Sequence, residues 1–310
     1  MSTIVLVHGI AQEHRSADEL EAEWLPALAG GLRLAGFPDL ADRLWRDRAP
    51  RDLEARMAFY GDYFRHPGRM GASGEQLTGE QAELAEDLAR AWLERAATDA
   101  SSPRERAEAA AELARVFELP GQRQGAGATQ RRAIAALARV RWFAPFGMAL
   151  AERFVLRALA QVTGYLNDEQ VRAHALSQVE LLLTPDTRVL IGHSLGSVVA
   201  YEAAQRMQRL LPLLITVGSP LGLRTIVYER LRPQPPCFPA SVARWVNIAD
   251  HDDFIAAAPD LSALFSAEQP SSAVFEGAWT VDNGAKPHLA TFYLNSREAG
   301  EPIGQVLVGL

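Results

Sequence analysis

Short apolar runs, each of strand length and each followed by turn residues, limit this chain more than any other feature. Ile4-Val5-Leu6-Val7 is continuous and β-branched, the pattern of a strand buried on both faces of a parallel sheet. Similar runs recur at Arg188–Ile191, Leu213–Val217, Val242–Ile248 and Ala273–Val281, and Arg56–Phe64 is a further candidate strand. Helix-spaced segments lie between them. Leu20, Trp24, Leu28 and Leu32 fall on one face of residues 18–35, and Leu195 opens a helix-compatible run to Met207. Asn167 with Gln170 reads as the cap of a helix carrying Val171, Ala175, Val179 and Leu182. Strands alternating with helices predict an α/β protein, a parallel sheet with helices on both faces.

The middle of the chain does not alternate. Gly79–Ala97, Pro103–Leu119, Gln130–Arg141 and Phe146–Val162 are helical in pattern, with Thr78 and Ser102 as caps, and Pro120–Gly127 reads as a mobile linker. The expected organisation is one domain whose core comprises residues 1–70 and 163–310, interrupted by a helical cap at about 71–162. Aromatic residues of that insertion (Trp92, Trp142, Phe143, Phe146 and Phe154) are candidates either to roof a pocket or to form the insertion's own core.

Composition narrows the function classes. A net charge of −7 lacks the electrostatic footprint that binding to a phosphate backbone demands, so nucleic acid is not an expected partner. One cysteine, Cys237, rules out a disulfide framework and a thiolate metal site. The N-terminus has no basic lead or cleavage pattern, and Phe143–Val162 is broken by Glu152, Arg153 and Arg157. A soluble cytoplasmic protein without an integral span is the expectation.

The segment that carries chemistry is Gly192-His193-Ser194-Leu195-Gly196. It matches G-x-S-x-G, directly after an apolar strand and directly before a helix, the setting of a nucleophile elbow. Such a serine needs a strained backbone at a sharp turn, and flanking side chains would strike the neighbouring strand and helix. The turn also puts the Leu195 amide at a helix N-terminus, where it can stabilise an oxyanion. The first strand ends in His8-Gly9-Ile10, and the Ile10 amide is the candidate for a second donor. His8 precedes the serine and is read as holding that loop.

Serine needs a base. In this elbow's topology the acid and the histidine follow the serine, which leaves His251 and His288. His251 sits among the acids of Asp250-His251-Asp252-Asp253, whereas His288 stands alone in a polar loop after a late strand, which suits a base. Asp250, Asp252 and Asp253 all follow a late strand and are the candidate acids, with the apolar pair Phe254-Ile255 favouring Asp253 as the one best anchored.

The sequence resembles the α/β-hydrolases, in particular their lipase and esterase-type members. The resemblance is carried by Val5-Leu6-Val7-His8-Gly9, Gly192–Gly196, Val217-Gly218-Ser219-Pro220, Asp253-Phe254-Ile255 and Pro287-His288-Leu289, and spans roughly residues 3–36 and 166–295. Two departures stand out: the chain opens directly on the oxyanion strand, and Phe254 replaces the proline of the family's acid motif. The resemblance implies an α/β-hydrolase fold and a serine hydrolase acting on a carboxylic ester, with catalytic Ser194, Asp253 and His288 and oxyanion amides from Ile10 and Leu195. A small-molecule acyl ester is the implied substrate, and no metal or organic cofactor is implied. An acyltransferase, cyclase or thioesterase using the same acyl-enzyme, and a catalytically silent binding or effector module, are the alternatives.

Overall fold

The apolar runs pair side by side into one sheet. The computed structural model describes residues 2–46, 53–65, 79–118, 126–139, 148–256 and 260–308. Its sheet contains β1 (Ile4–Val7), β2 (Ala55–Ala58), β3 (Val189–His193), β4 (Leu213–Val217), β5 (Arg244–Asp250) and β6 (Val274–Val281). The order is β2-β1-β3-β4-β5-β6, and every pair is parallel. All six carboxyl ends therefore share one edge. The order reverses between β1 and β3, because the chain leaves β1 to one side for β2 and returns on the other. In open α/β sheets the crevice beyond such a switch point is where ligands bind.

Period-two alternation gives the four central strands, β1, β3, β4 and β5, two buried faces. Ile4, Leu6, Val189, Ile191, Ile215, Val246 and Ile248 face a core shared with α1 (Ala17–Leu34), α10 (Ala290–Leu294) and α11 (Arg297–Leu307). Val5, Leu190, Leu214 and Trp245 alternate with these, and α8 (Leu195–Arg206) packs against β1, β3 and β4 without joining the first core. On its side Tyr201 meets the Trp245 ring at 5.5 Å. The parallel α/β class expected from the sequence is what forms.

The chain divides into two compact units, one of Met1–Tyr60 with Ala173–Leu310 and the other of Gly61–Arg172. The second begins earlier and ends later than the insertion expected at 71–162. Its helices are α3 (Glu80–Asp99), α4 (Pro103–Leu113), α5 (Ala126–Arg139) and α6 (Met148–Asn167), with α3 packed on the other three. Ser102 caps α4 through the Glu105 amide, as its sequence suggests. Trp92 lies on the buried face of α3 with Leu88 and Leu93. Thr78, Trp142, Phe143, Phe146, most of the 120–127 segment and the side chain of Phe154 lie outside the described residues. Among the described residues no helix is long and apolar enough to cross a membrane.

Two local expectations need correction. The strand expected at Arg56–Phe64 stops at Ala58 and gives way to a 3₁₀ turn at Gly61–Arg65. Pairing ends there because the next available donor, the Tyr60 amide, goes to the His8 side chain instead of a strand carbonyl. The helix after residue 167 is capped by Asp168 and not Asn167, since α6 runs through Asn167 and the Asp168 carboxylate accepts from the Gln170 amide at 2.8 Å. That helix is α7 (Glu169–Leu182).

α1 and α11 touch at the backbone. A Cβ on Gly300 would lie 2.0 Å from the carbonyl oxygen of Gly31, and one on Gly304 would lie 2.1 Å from the Phe37 ring. Gly→Ala inside an ordinary helix stabilises by about 0.5–1 kcal/mol. At Gly300 the sign should reverse, with Gly300→Ala costing about 1–3 kcal/mol of overpacking. Urea unfolding checks this; a midpoint raised by the substitution would show that the helices have room between them.

Candidate active site

The elbow is built by close approach. A Cβ on Gly192 would sit 2.4 Å from the Gly196 carbonyl oxygen, and one on Gly196 would sit 2.3 Å from the carbonyl oxygens of Val7 and His8. Both positions therefore accept only hydrogen, and α8 can start hard against β1 and β3. Between them Ser194 is held at φ 54° and ψ −128°, a region that L-residues rarely enter. The strain is locked in from several sides. The Ser194 amide donates to Val217 at 3.1 Å, and the Ser197 hydroxyl donates to the Ser194 carbonyl at 2.6 Å and lies 2.7 Å from the Ser219 hydroxyl. Leu195 is the first residue of α8, so its amide has no acceptor within the helix. Gly9 packs so closely that a Cβ there would meet the Ser194 Cβ at 2.8 Å, which brings the His8–Ile10 turn beside the serine.

His8 itself is fully occupied with structure. Its Nδ1 lies 2.7 Å from the Gly9 carbonyl, which can only accept, and its Nε2 accepts from the Tyr60 amide at 3.2 Å. The ring is thus a neutral Nδ1–H tautomer, stacked on Tyr60 at 4.1 Å. The expectation that His8 holds the loop agrees with these bonds.

Asp253 and His288 are brought together. The His288 Nδ1 lies 2.7 Å from one Asp253 oxygen and 2.9 Å from the other. The carboxylate is fully buried and accepts further bonds from the Ile255 amide at 3.1 Å, the Ala256 amide at 3.3 Å and the Tyr293 hydroxyl at 2.7 Å. Burial pushes the Asp253 carboxyl upward, but its electrostatic attraction to His288 and the donors from His288 and Tyr293 outweigh that and hold the group below the usual carboxylate range. Burial and the Asp253 charge push the Tyr293 hydroxyl well up, so it remains a donor. Gly218, at φ +55°, lies under this pair; a Cβ there would come within 2.9 Å of an Asp253 oxygen and 3.2 Å of the His288 Nδ1. Because Val217 takes the Ser194 amide, serine, acid and histidine lie around one strand end.

The other candidates are placed elsewhere. Asp250 spends its carboxylate on the turn: it accepts from the Asp252 amide at 2.8 Å and from the Asn283 amide, and burial pushes its pKa up. Asn283 in turn donates to the Pro287 carbonyl at 3.0 Å, so Asp250 shapes the loop that carries His288. Asp252 lies 3.6 Å from His251, whose side chain is exposed. His251 is outside the site. Among the described residues no group of three or more histidine, cysteine or acidic side chains could hold a metal ion.

Two residues of the site were missed by sequence reasoning. Tyr293 grips Asp253 and also accepts from the Asp250 amide at 2.9 Å. Its signal is a polar tip on an otherwise apolar helix five residues beyond His288. His193 is the other. Its Nε2 lies 2.8 Å from the His288 carbonyl, and its ring is 4.6 Å from the His288 ring. A titratable ring ending an apolar strand is the clue, since such a group needs a partner. Comparison with known protein families, with curated proteins and with solved structures finds no match to this chain.

Burial, aided by the neighbouring His288, pushes the His193 pKa down to about 3. The unfolded ring titrates at about 6.5 and binds the extra proton. His193 therefore contributes no acid penalty above about pH 6.5, and stability is lost as the pH falls from there towards about 3. His193→Gln keeps a donor but cannot charge, so it should flatten the acid limb of the unfolding free energy over that window. Parallel acid limbs for the two proteins in denaturant titrations would contradict this.

Proposed function

We propose that the protein is a serine hydrolase of the α/β-hydrolase kind that cleaves a carboxylic ester through an acyl-enzyme. The observation that carries this reading is the buried Asp253 carboxylate bonded to the His288 Nδ1, at the sheet edge where Ser194 occupies a strained elbow. A carboxylate only accepts, so the Nδ1 carries the proton and the Nε2 is the basic nitrogen.

In this mechanism the Ser194 oxygen attacks the acyl carbon while the His288 Nε2 takes the hydroxyl proton. The Leu195 amide, at the positive end of α8, and the Ile10 amide bear the oxyanion. Collapse breaks the bond to the alcohol, which leaves with the proton held by His288. Water then attacks the acyl-enzyme, gives its proton to the Nε2, and the acid departs as Ser194 is reprotonated. Asp253 keeps the histidine tautomer and stabilises the imidazolium, and its four donors, two from its own turn and two from the segment beyond β6, hold it ionised throughout. The Ser194 strain favours the same reading, since backbone in sparsely populated regions clusters at functional sites.

A fluorophosphonate should label the wild-type protein at Ser194, and Ser194→Ala should abolish labelling while the circular dichroism spectrum is kept. Asp253→Asn should slow labelling and ester turnover by about 10² to 10⁴, through the wrong tautomer of His288. His251→Gln should leave both rates as they are. Label found by mass spectrometry on another serine would refute the assignment.

A further inference from the structure

We propose that His193 is a positioning residue: its Nε2–H clamps the backbone carbonyl of His288 and so fixes the base relative to the serine that follows His193 in the chain. The inference rests on the hydrolase reading for its functional meaning and on geometry for the clamp itself.

The bond is 2.8 Å long, and a carbonyl can only accept, so the Nε2 carries the hydrogen. The ring cannot be swapped for another contact without disturbing the site. Its other nitrogen faces Gly9, where a Cβ would come within 3.2 Å, and its edge meets Trp24 at 6.0 Å. The ring lies 4.6 Å from His288 and is buried beside it. One side chain thus ties β3, which delivers the serine, to a loop that follows β6. Nothing in the β-ladder does this, because β3 pairs only with β1 and β4. Other bonds of the loop, Asn283 to Pro287, the Asn283 amide to Asp250 and His288 to Asp253, tie it to itself and to the end of β5. His193 thus supplies a bond that sets base against nucleophile, and a displacement of about 1 Å in such a pair costs about 10² in rate.

The test separates the donor from the ring. His193→Leu and His193→Asn remove it, since the asparagine amide ends one bond short of the carbonyl. Asparagine keeps the site polar should leucine prevent folding. His193→Gln places an amide nitrogen the same number of bonds from the Cα as the Nε2. Two readouts are taken on the full chain: the rate of fluorophosphonate labelling, and hydrogen exchange of the amides in residues 282–289. Loss of the donor should speed exchange in that loop at least tenfold and slow labelling by about ten- to a hundredfold, with glutamine recovering most of both. Exchange that follows the donor in a protein that never labels would keep the clamp and overturn the hydrolase reading. Leucine and asparagine variants that exchange and label like wild type would overturn the clamp.

Discussion

A buried negative charge governs the layout of this protein's sheet edge. Asp253 has no solvent exposure, and an ionised carboxylate in such a place is tolerable only when its lone pairs are filled. The donors come from two directions. Ile255 and Ala256 supply amides from the turn beyond β5, while His288 and Tyr293 supply a ring N–H and a hydroxyl from the segment beyond β6. The ion therefore holds two distant stretches in register. Tyr293 extends the arrangement, because the same hydroxyl that donates to Asp253 accepts from the Asp250 amide. Such a chain of bonds strengthens each member in a low-dielectric surrounding.

The Ser194 side is governed by sterics. Gly192 and Gly196 leave no room for a Cβ, and that allows α8 to begin within contact of β1. The two regimes meet at the end of β4. Val217 accepts the Ser194 amide, and Gly218, in the left-handed region, makes space for the acid and the histidine. Sheet order brings them there: the switch between β1 and β3 opens the edge where the turn after β1, the elbow and the later loops converge.

Much of this was readable from the chain. Uninterrupted apolar runs such as Val189-Leu190-Ile191 mark strands buried on both faces, and the glycines around Ser194 report a turn that admits no side chains. Phe254 and Ile255, the apolar pair that with the family resemblance favours Asp253 over Asp250, are both buried. What stayed hidden depends on partners far away in sequence. Periodicity registers a helix at Ala290–Leu294 but cannot say that Tyr293 reaches an aspartate forty positions earlier. Nor can it say that the second residue of the elbow holds the loop of His288. The strand pattern after β1 persists in sequence past Ala58, while the hydrogen bond that ends the strand is donated by the Tyr60 amide to a ring fifty-two positions earlier, His8. The cap before α7 was misplaced by one residue because two helices abut there.

The register of the central strands also dictates when the sheet can exist. Ile4 pairs with Val189, so the partner of β1 on that side is made only after the whole helical unit has been synthesised. At about 5–20 residues per second that interval is roughly 10–40 s. The contacts among the helices of the second unit span less of the chain than the β1–β3 pairing does, and more local contacts form faster. Folding on the ribosome thus runs from the middle outwards, with Ile4-Val5-Leu6-Val7 waiting as an apolar strand lacking one neighbour. A strand in that condition is a template for pairing with other chains, and this is the interval in which a holdase chaperone has something to protect.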